Sequence, residues 1–258
     1  MPRAFAFQTL AAALIAATGA MPAVAQGTSG SYLAARQAGI DYNFEAAADY
    51  FSRALVRDRS NVGLIESAMS SYLSLGDLDR ALPLARRLSE SGAENQIANL
   101  VLLGDLAKQG DWQALVDALD GGQSVSPLYD GLVRAWALVG LGRMGDALDQ
   151  FDAVAEARGT QAFGRYHRAL ALASVGDFEG ANAVFAGESG PQLQLTRRGI
   201  IAHAQILSQL ERTAEAAAMI NDAFGRDTDP FLSSLLDRLE SGEPVEYDVV
   251  RTALSLIH

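Results

Sequence analysis

The feature that most limits what this chain can fold into is a repeat of about 34 residues. The anchor turns Tyr42-Asn43-Phe44, Gly76-Asp77-Leu78, Gly110-Asp111-Trp112, Gly142-Arg143-Met144, Gly176-Asp177-Phe178 and Glu211-Arg212-Thr213 start 34, 34, 32, 34 and 35 residues apart. Their surroundings recur as well. Five residues after each turn begins stand Ala47, Ala81, Leu115, Ala147, Ala181 and Ala216, and nine after it Phe51, Ala85, Leu119, Phe151, Phe185 and Ile220. Four before it stand Ala38, Tyr72, Leu106, Leu138, Leu172 and Leu207. A chain that is 49% apolar does not fill all these positions with apolar side chains by accident.

Each unit reads as a helical hairpin. Glycine suits the left-handed residue that ends a first helix, and the following Asp or Asn caps a second by accepting its free N–H groups. The small residue at the fifth position lets the two helices approach closely. Apolar residues at i, i+3, i+4 and i+7 on both helices leave a face that no hairpin can bury alone, so hairpins must stack. Ala and Leu carry the hydrophobicity while Val, Ile and Thr are sparse, which favours an all-α chain. Two units are irregular: Gly121-Gly122 and the loop to Pro127 shorten the third unit's second helix, and Gly187 to Pro191 shorten the fifth's. Pro83, inside the second unit's second helix, predicts a local distortion.

These residues and spacings resemble the tetratricopeptide repeat family over about residues 31–227, as six units. Tyr72, Gly76, Ala81, Phe151, Ala181 and Phe185 match its pattern, whereas its closing Pro is replaced by Arg59 and Glu94 and its opening aromatic is mostly missing. The resemblance implies a right-handed α-solenoid of about six hairpins, with first helices lining a concave face that holds an extended peptide or a helix. Mapped onto this chain, that face comprises Tyr32, Arg36, Glu66, Ser70, Lys108, Trp136, Tyr166, Gln205 and Gln209. A register shift of one residue sends Trp136 or Tyr166 into the hairpin core, and both placements stay open for those two. The basic, Asn-rich clamp with which chaperone-binding relatives seize an acidic C-terminus is not reproduced.

The ends of the chain read differently. Arg3, the apolar stretch from Leu10 to Ala17, the break from Gly19 to Pro22 and the small-x-small Ala23-Val24-Ala25 form an export leader, residues 1–25, cut after Ala25. The stretch is too brief for the about 20 residues of a spanning anchor. No cysteine follows to carry a lipid. Residues 26–30 read as a short flexible N-terminus, and 228–258 as a helical extension: Asp229-Pro230 opens a helix to Glu240, Gly242-Glu243-Pro244 breaks it, and a second helix starts at Val245. An uncapped final helix suggests an N-terminal piece of a longer protein or self-association through that end.

Chemistry finds little foothold. There is no Gly-x-Ser-x-Gly, His-Glu-x-x-His or Gly-Lys phosphate loop, and the absence of cysteine removes thiolate nucleophiles and thiolate metal sites. His167 and His203 lie about a repeat apart, but two ligands are too few for a metal site, so they read as packed or exposed side chains. Asp227-Thr228-Asp229, Asp77-Leu78-Asp79 and Asp111 read as helix caps, and Trp112 as packing between hairpins. A net charge of −11 repels phosphate backbones and removes the main affinity term for nucleic acid. The expectation is an exported, periplasmic or secreted, non-catalytic scaffold for a protein or peptide, without cofactor or metal. An N-terminal scaffold for a larger envelope protein, and an envelope hydrolase, are the alternatives.

Overall fold

The computed structural model describes residues 28–188, 190, 193–225 and 229–250, which contain thirteen helices and no strand. The expected leader lies outside the described residues. The chain divides into two compact units at the Asp77–Leu78 bond. The first contains α1 (Thr28–Ile40), α2 (Phe44–Arg57) and α3 (Val62–Ser74). The second contains α4 (Leu78–Glu90), α5 (Gln96–Gln109), α6 (Trp112–Asp120), α7 (Pro127–Gly140), α8 (Met144–Glu156), α9 (Gln161–Ser174), α10 (Phe178–Phe185), α11 (Arg197–Gln209), α12 (Thr213–Phe224) and α13 (Pro230–Glu240). Consecutive helices pack together within each unit, and in the second α9 also touches both α7 and α11.

The six anchor turns share one backbone geometry. Tyr42, Gly76, Gly110, Gly142, Gly176 and Glu211 all have positive φ, between 57° and 85°. In each, the N–H of the next residue donates to the carbonyl four residues before the anchor: Asn43 to Ala38, Asp77 to Tyr72, Asp111 to Leu106, Arg143 to Leu138, Asp177 to Leu172 and Arg212 to Leu207, all at 2.8–3.0 Å. This is a Schellman closure of the first helix. The carboxamide of Asn43 and the carboxylates of Asp111 and Asp177 then accept the N–H of Ala46, Ala114 and Gly180. Where the cap is arginine, the guanidinium pairs instead with a carboxylate three residues on, Arg143 with Asp146 and Arg212 with Glu215, keeping negative charge at the positive helix end.

The fifth residue after each turn starts is 0% exposed in all six repeats. Of the flanking apolar set only Tyr72, Leu106 and Leu119 remain half-buried. As expected, α6 and α10 are short, at 9 and 8 residues. Pro83 lies inside α4, and the helix continues past it to Glu90. The proline lacks the donor that would reach the carbonyl of Asp79, an exposed residue of the first turn. Asp229 caps α13 as expected, accepting from the N–H of Leu232 with Pro230 in the first turn. Residues 28–30, expected as part of a flexible N-terminus, are helical and belong to α1.

A further correction concerns the C-terminus. Residues 245–250 are non-helical, with a bend at Val249, and not the start of a helix. Val245-Glu246-Tyr247-Asp248-Val249-Val250 is rich in β-branched residues and follows Pro244, both of which favour extended backbone. Among the described residues no helix is long and apolar enough to cross a membrane.

Candidate functional site

In the first unit, α1 and α3 border a pocket of about 620 Å³ whose lining includes Tyr32, Leu33, Asn61, Leu64, Glu66 and Ser67. Two expected groove residues, Tyr32 and Glu66, thus share one concavity. The Tyr32 ring is held edge-on by Phe51 at 6.2 Å, and the Arg36 guanidinium lies 6.0 Å from its centre, a cation–π distance. Ser70, one turn beyond Glu66, is half-buried, with its carbonyl accepting from the Ser74 hydroxyl.

In the second unit, Lys108 is exposed and lies 3.5 Å from Asp79, an ion pair between α4 and α5. Trp136 is not a groove residue. It is 1% exposed, donates from Nε1 to His167 Nδ1 at 3.0 Å and packs edge-on against Phe151 at 5.5 Å. The reason is positional: α7 is wedged among α6, α8 and α9, so Ala135, Trp136, Ala137 and Leu138 are buried in succession and no single stripe marks its outer face.

Tyr166 is half-buried, its ring set against Phe185 and His167. With Phe163 and the segment Leu193 to Thr196 it lines a pocket of about 310 Å³. Burial raises its phenol pKa. Trp112 lies half-buried between the clusters on either side of α7, filling the space that a Cβ on Gly140 would occupy.

His203 is buried, and His167 is half-buried beside Trp136 and Phe151. His167 accepts from Trp136, while His203 pairs with Asn182 at 3.0 Å and stacks on Phe185 at 4.9 Å. Burial lowers both to about 4, with Arg198 adding to the effect on His167 and Arg212 to that on His203, against Glu215. Among the described residues no three His, Asp or Glu side chains come together to hold a metal ion. Asp227 and Thr228 lie outside the described residues.

Gln205 and Gln209 are engaged by a non-helical segment of the chain itself. Ser208 Oγ accepts from the Val245 N–H at 2.8 Å, and Gln209 donates to the Val245 carbonyl at 2.7 Å. Gln205 accepts from the Asp248 N–H at 3.2 Å while donating to its carboxylate at 2.6 Å. Arg198 donates to the Val249 carbonyl at 3.0 Å. Contacts progress from the end of α11 to its beginning, so the segment runs antiparallel to that helix. The Tyr247 hydroxyl reaches the Leu170 carbonyl on α9 at 3.4 Å, and its ring meets Phe178 edge-on. Ser208, Arg198 and the segment itself escaped sequence reasoning. The alternation of Val245, Tyr247 and Val249 is the signal that could have revealed a non-helical strap.

No family model matches the chain, and no curated protein is significantly similar to it in sequence.

Proposed function

We propose that this protein is a non-catalytic scaffold of tetratricopeptide type, a right-handed solenoid whose first helices hold an extended segment of a protein partner. The observation that carries this reading is the antiparallel bed of α11, where Ser208, Gln205, Gln209 and Arg198 engage the main chain of a non-helical segment. Main-chain hydrogen bonds with side-chain pockets beside them are the usual way a protein holds an unfolded peptide. The pocket beneath Tyr32 and Glu66 offers aromatic surface and a carboxylate on first helices of the other unit. Export to the periplasm or beyond through the leader ending at Ala25 completes the proposal, and a mature N-terminus at Gln26 in a fractionated sample tests it.

The scaffold itself is tested by placing a photocrosslinking residue at position 66 or 163, on first helices, or at 149 or 218, on exposed second-helix surface. The first pair is expected to capture one discrete partner from envelope extract that the second pair misses. Equal capture by both pairs refutes a specific binding face.

A further inference from the structure

Resting on the scaffold reading, we propose that the strap Val245–Val250 is a displaceable self-ligand, and that the partner competing for its bed is a segment of the pattern aliphatic-x-aromatic-acidic-aliphatic-aliphatic, the fifth place being that of Val249, which packs half-buried against the core. Every hydrogen bond described between strap main chain and α11 ends on a side chain of that helix, so α11 keeps its own ladder when the strap leaves. The readout differs along the strap. Val245 and Val250 are buried, 4% and 2% exposed, and select aliphatic groups. Tyr247 is half-buried against Phe178, with its hydroxyl at the Leu170 carbonyl, and selects an aromatic with a polar tip. Asp248 is read twice by one carboxamide, through its N–H and its carboxylate, which favours an acidic residue following the aromatic. Glu246 is exposed and has no described hydrogen bond or ion pair, so its position is unread.

A tethered occupant multiplies apparent affinity by the fraction of molecules in which it is undocked. A strap docked in more than about nine molecules in ten therefore weakens a competing peptide at least about tenfold. The test uses the full chain and a fluorescent peptide with the sequence of residues 243–250. Val245→Ser, Val250→Ser loosens the strap without touching the bed and is expected to bind the peptide at least about tenfold more tightly than wild type. Adding Gln205→Ala should abolish that gain. A peptide with Lys for Asp248 should fail, and one with Gln for Glu246 should bind normally. A loosened variant that keeps its helical circular dichroism yet binds no more tightly overturns the proposal, as does one that dimerises by taking a second copy's strap. Should the variant not fold, hydrogen exchange in wild type decides. The Val245 and Asp248 amides are expected to exchange far faster than the α11 interior, and equal protection means the strap is a fixed part of the fold. Partner capture at position 66 with failure of every peptide arm would overturn the self-ligand alone and leave the scaffold standing.

Discussion

His203, buried, and His167, half-buried, make stability fall as pH drops, in a window that can be placed in advance. An imidazole in the unfolded chain takes a proton near 6.5, whereas His167 and His203 in the fold resist it until about 4. Between those values the unfolded chain binds more protons, so acid favours unfolding. The loss begins as pH falls through 6.5 and is complete below 4. Taking both pKa values at face value, the loss between about pH 8 and about pH 5 is roughly 2 kcal/mol per histidine, or about 4 for the pair. The cause is specific. His167 must keep Nδ1 bare to accept from Trp136, and His203 is stacked on Phe185 beside Asn182, with no described carboxylate hydrogen-bonded to either ring. Urea unfolding followed by circular dichroism across this range, in wild type and in His167→Gln, His203→Gln, isolates the effect, because carboxylates and His258 are common to both. The double variant is expected to lose most of the acid slope. A slope unchanged by it, or two imidazole resonances titrating near 6.5 in the folded protein, would refute the desolvation assigned to both rings.

Three further predictions concern packing and turns, each read as a change in unfolding free energy. Ala181→Leu forces extra volume into a site with no exposure and should cost about 1–3 kcal/mol or more, whereas Leu115→Ala opens a cavity and should cost about 2–5 kcal/mol. Gly164→Ala would put its Cβ 2.5 Å from the Ala155 nitrogen and 2.6 Å from the Phe151 carbonyl, both backbone atoms, so α8 or α9 must shift. Gly104→Ala meets nothing within 4 Å in mid-helix, so it should stabilise by up to about 1 kcal/mol while Gly164→Ala destabilises. Glu211→Gly relieves a left-handed residue at φ 60° and should stabilise by about 1 kcal/mol, while Gly142→Ala imposes the same strain at φ 72° and should cost about as much.

The turns were legible because everything that makes them is local. A left-handed residue, a cap and a small residue five places on lie within one short stretch of chain, and the same six carbonyls chosen from apolar spacing, Ala38 to Leu207, accept the closing hydrogen bonds. The second helices were equally readable, since each buries one stripe, as Ala47, Phe51 and Ala54 do on α2. First helices in the second unit defeat that logic. On α9, Ala169 to Ala173 are buried in succession, and on α11 every residue from Ala202 to Ser208 is. Their neighbours lie on several sides, so apolar periodicity no longer separates core from groove. Trp136 could not be assigned to core or groove from sequence for this reason.

The same argument explains why Gln205, expected on an open groove, lies buried against the chain's own Asp248. A polar side chain at 3% exposure on a helix with buried flanks signals a partner for its carboxamide, because an unsatisfied buried amide costs roughly 1–3 kcal/mol. Sequence can assert that such a partner exists, yet this one stands 43 residues away, at Asp248. Pairing across that distance depends on where α12 and α13 return the chain, which no local pattern encodes. The clue lay at the far end instead. A stretch of six residues that alternates Val, Tyr and Val after a proline, in a chain otherwise short of β-branched residues, is unsuited to a closing helix and suited to lying extended along one. Asking which helix carried unexplained amides would then have pointed to Gln205 and Gln209 before any coordinates were known.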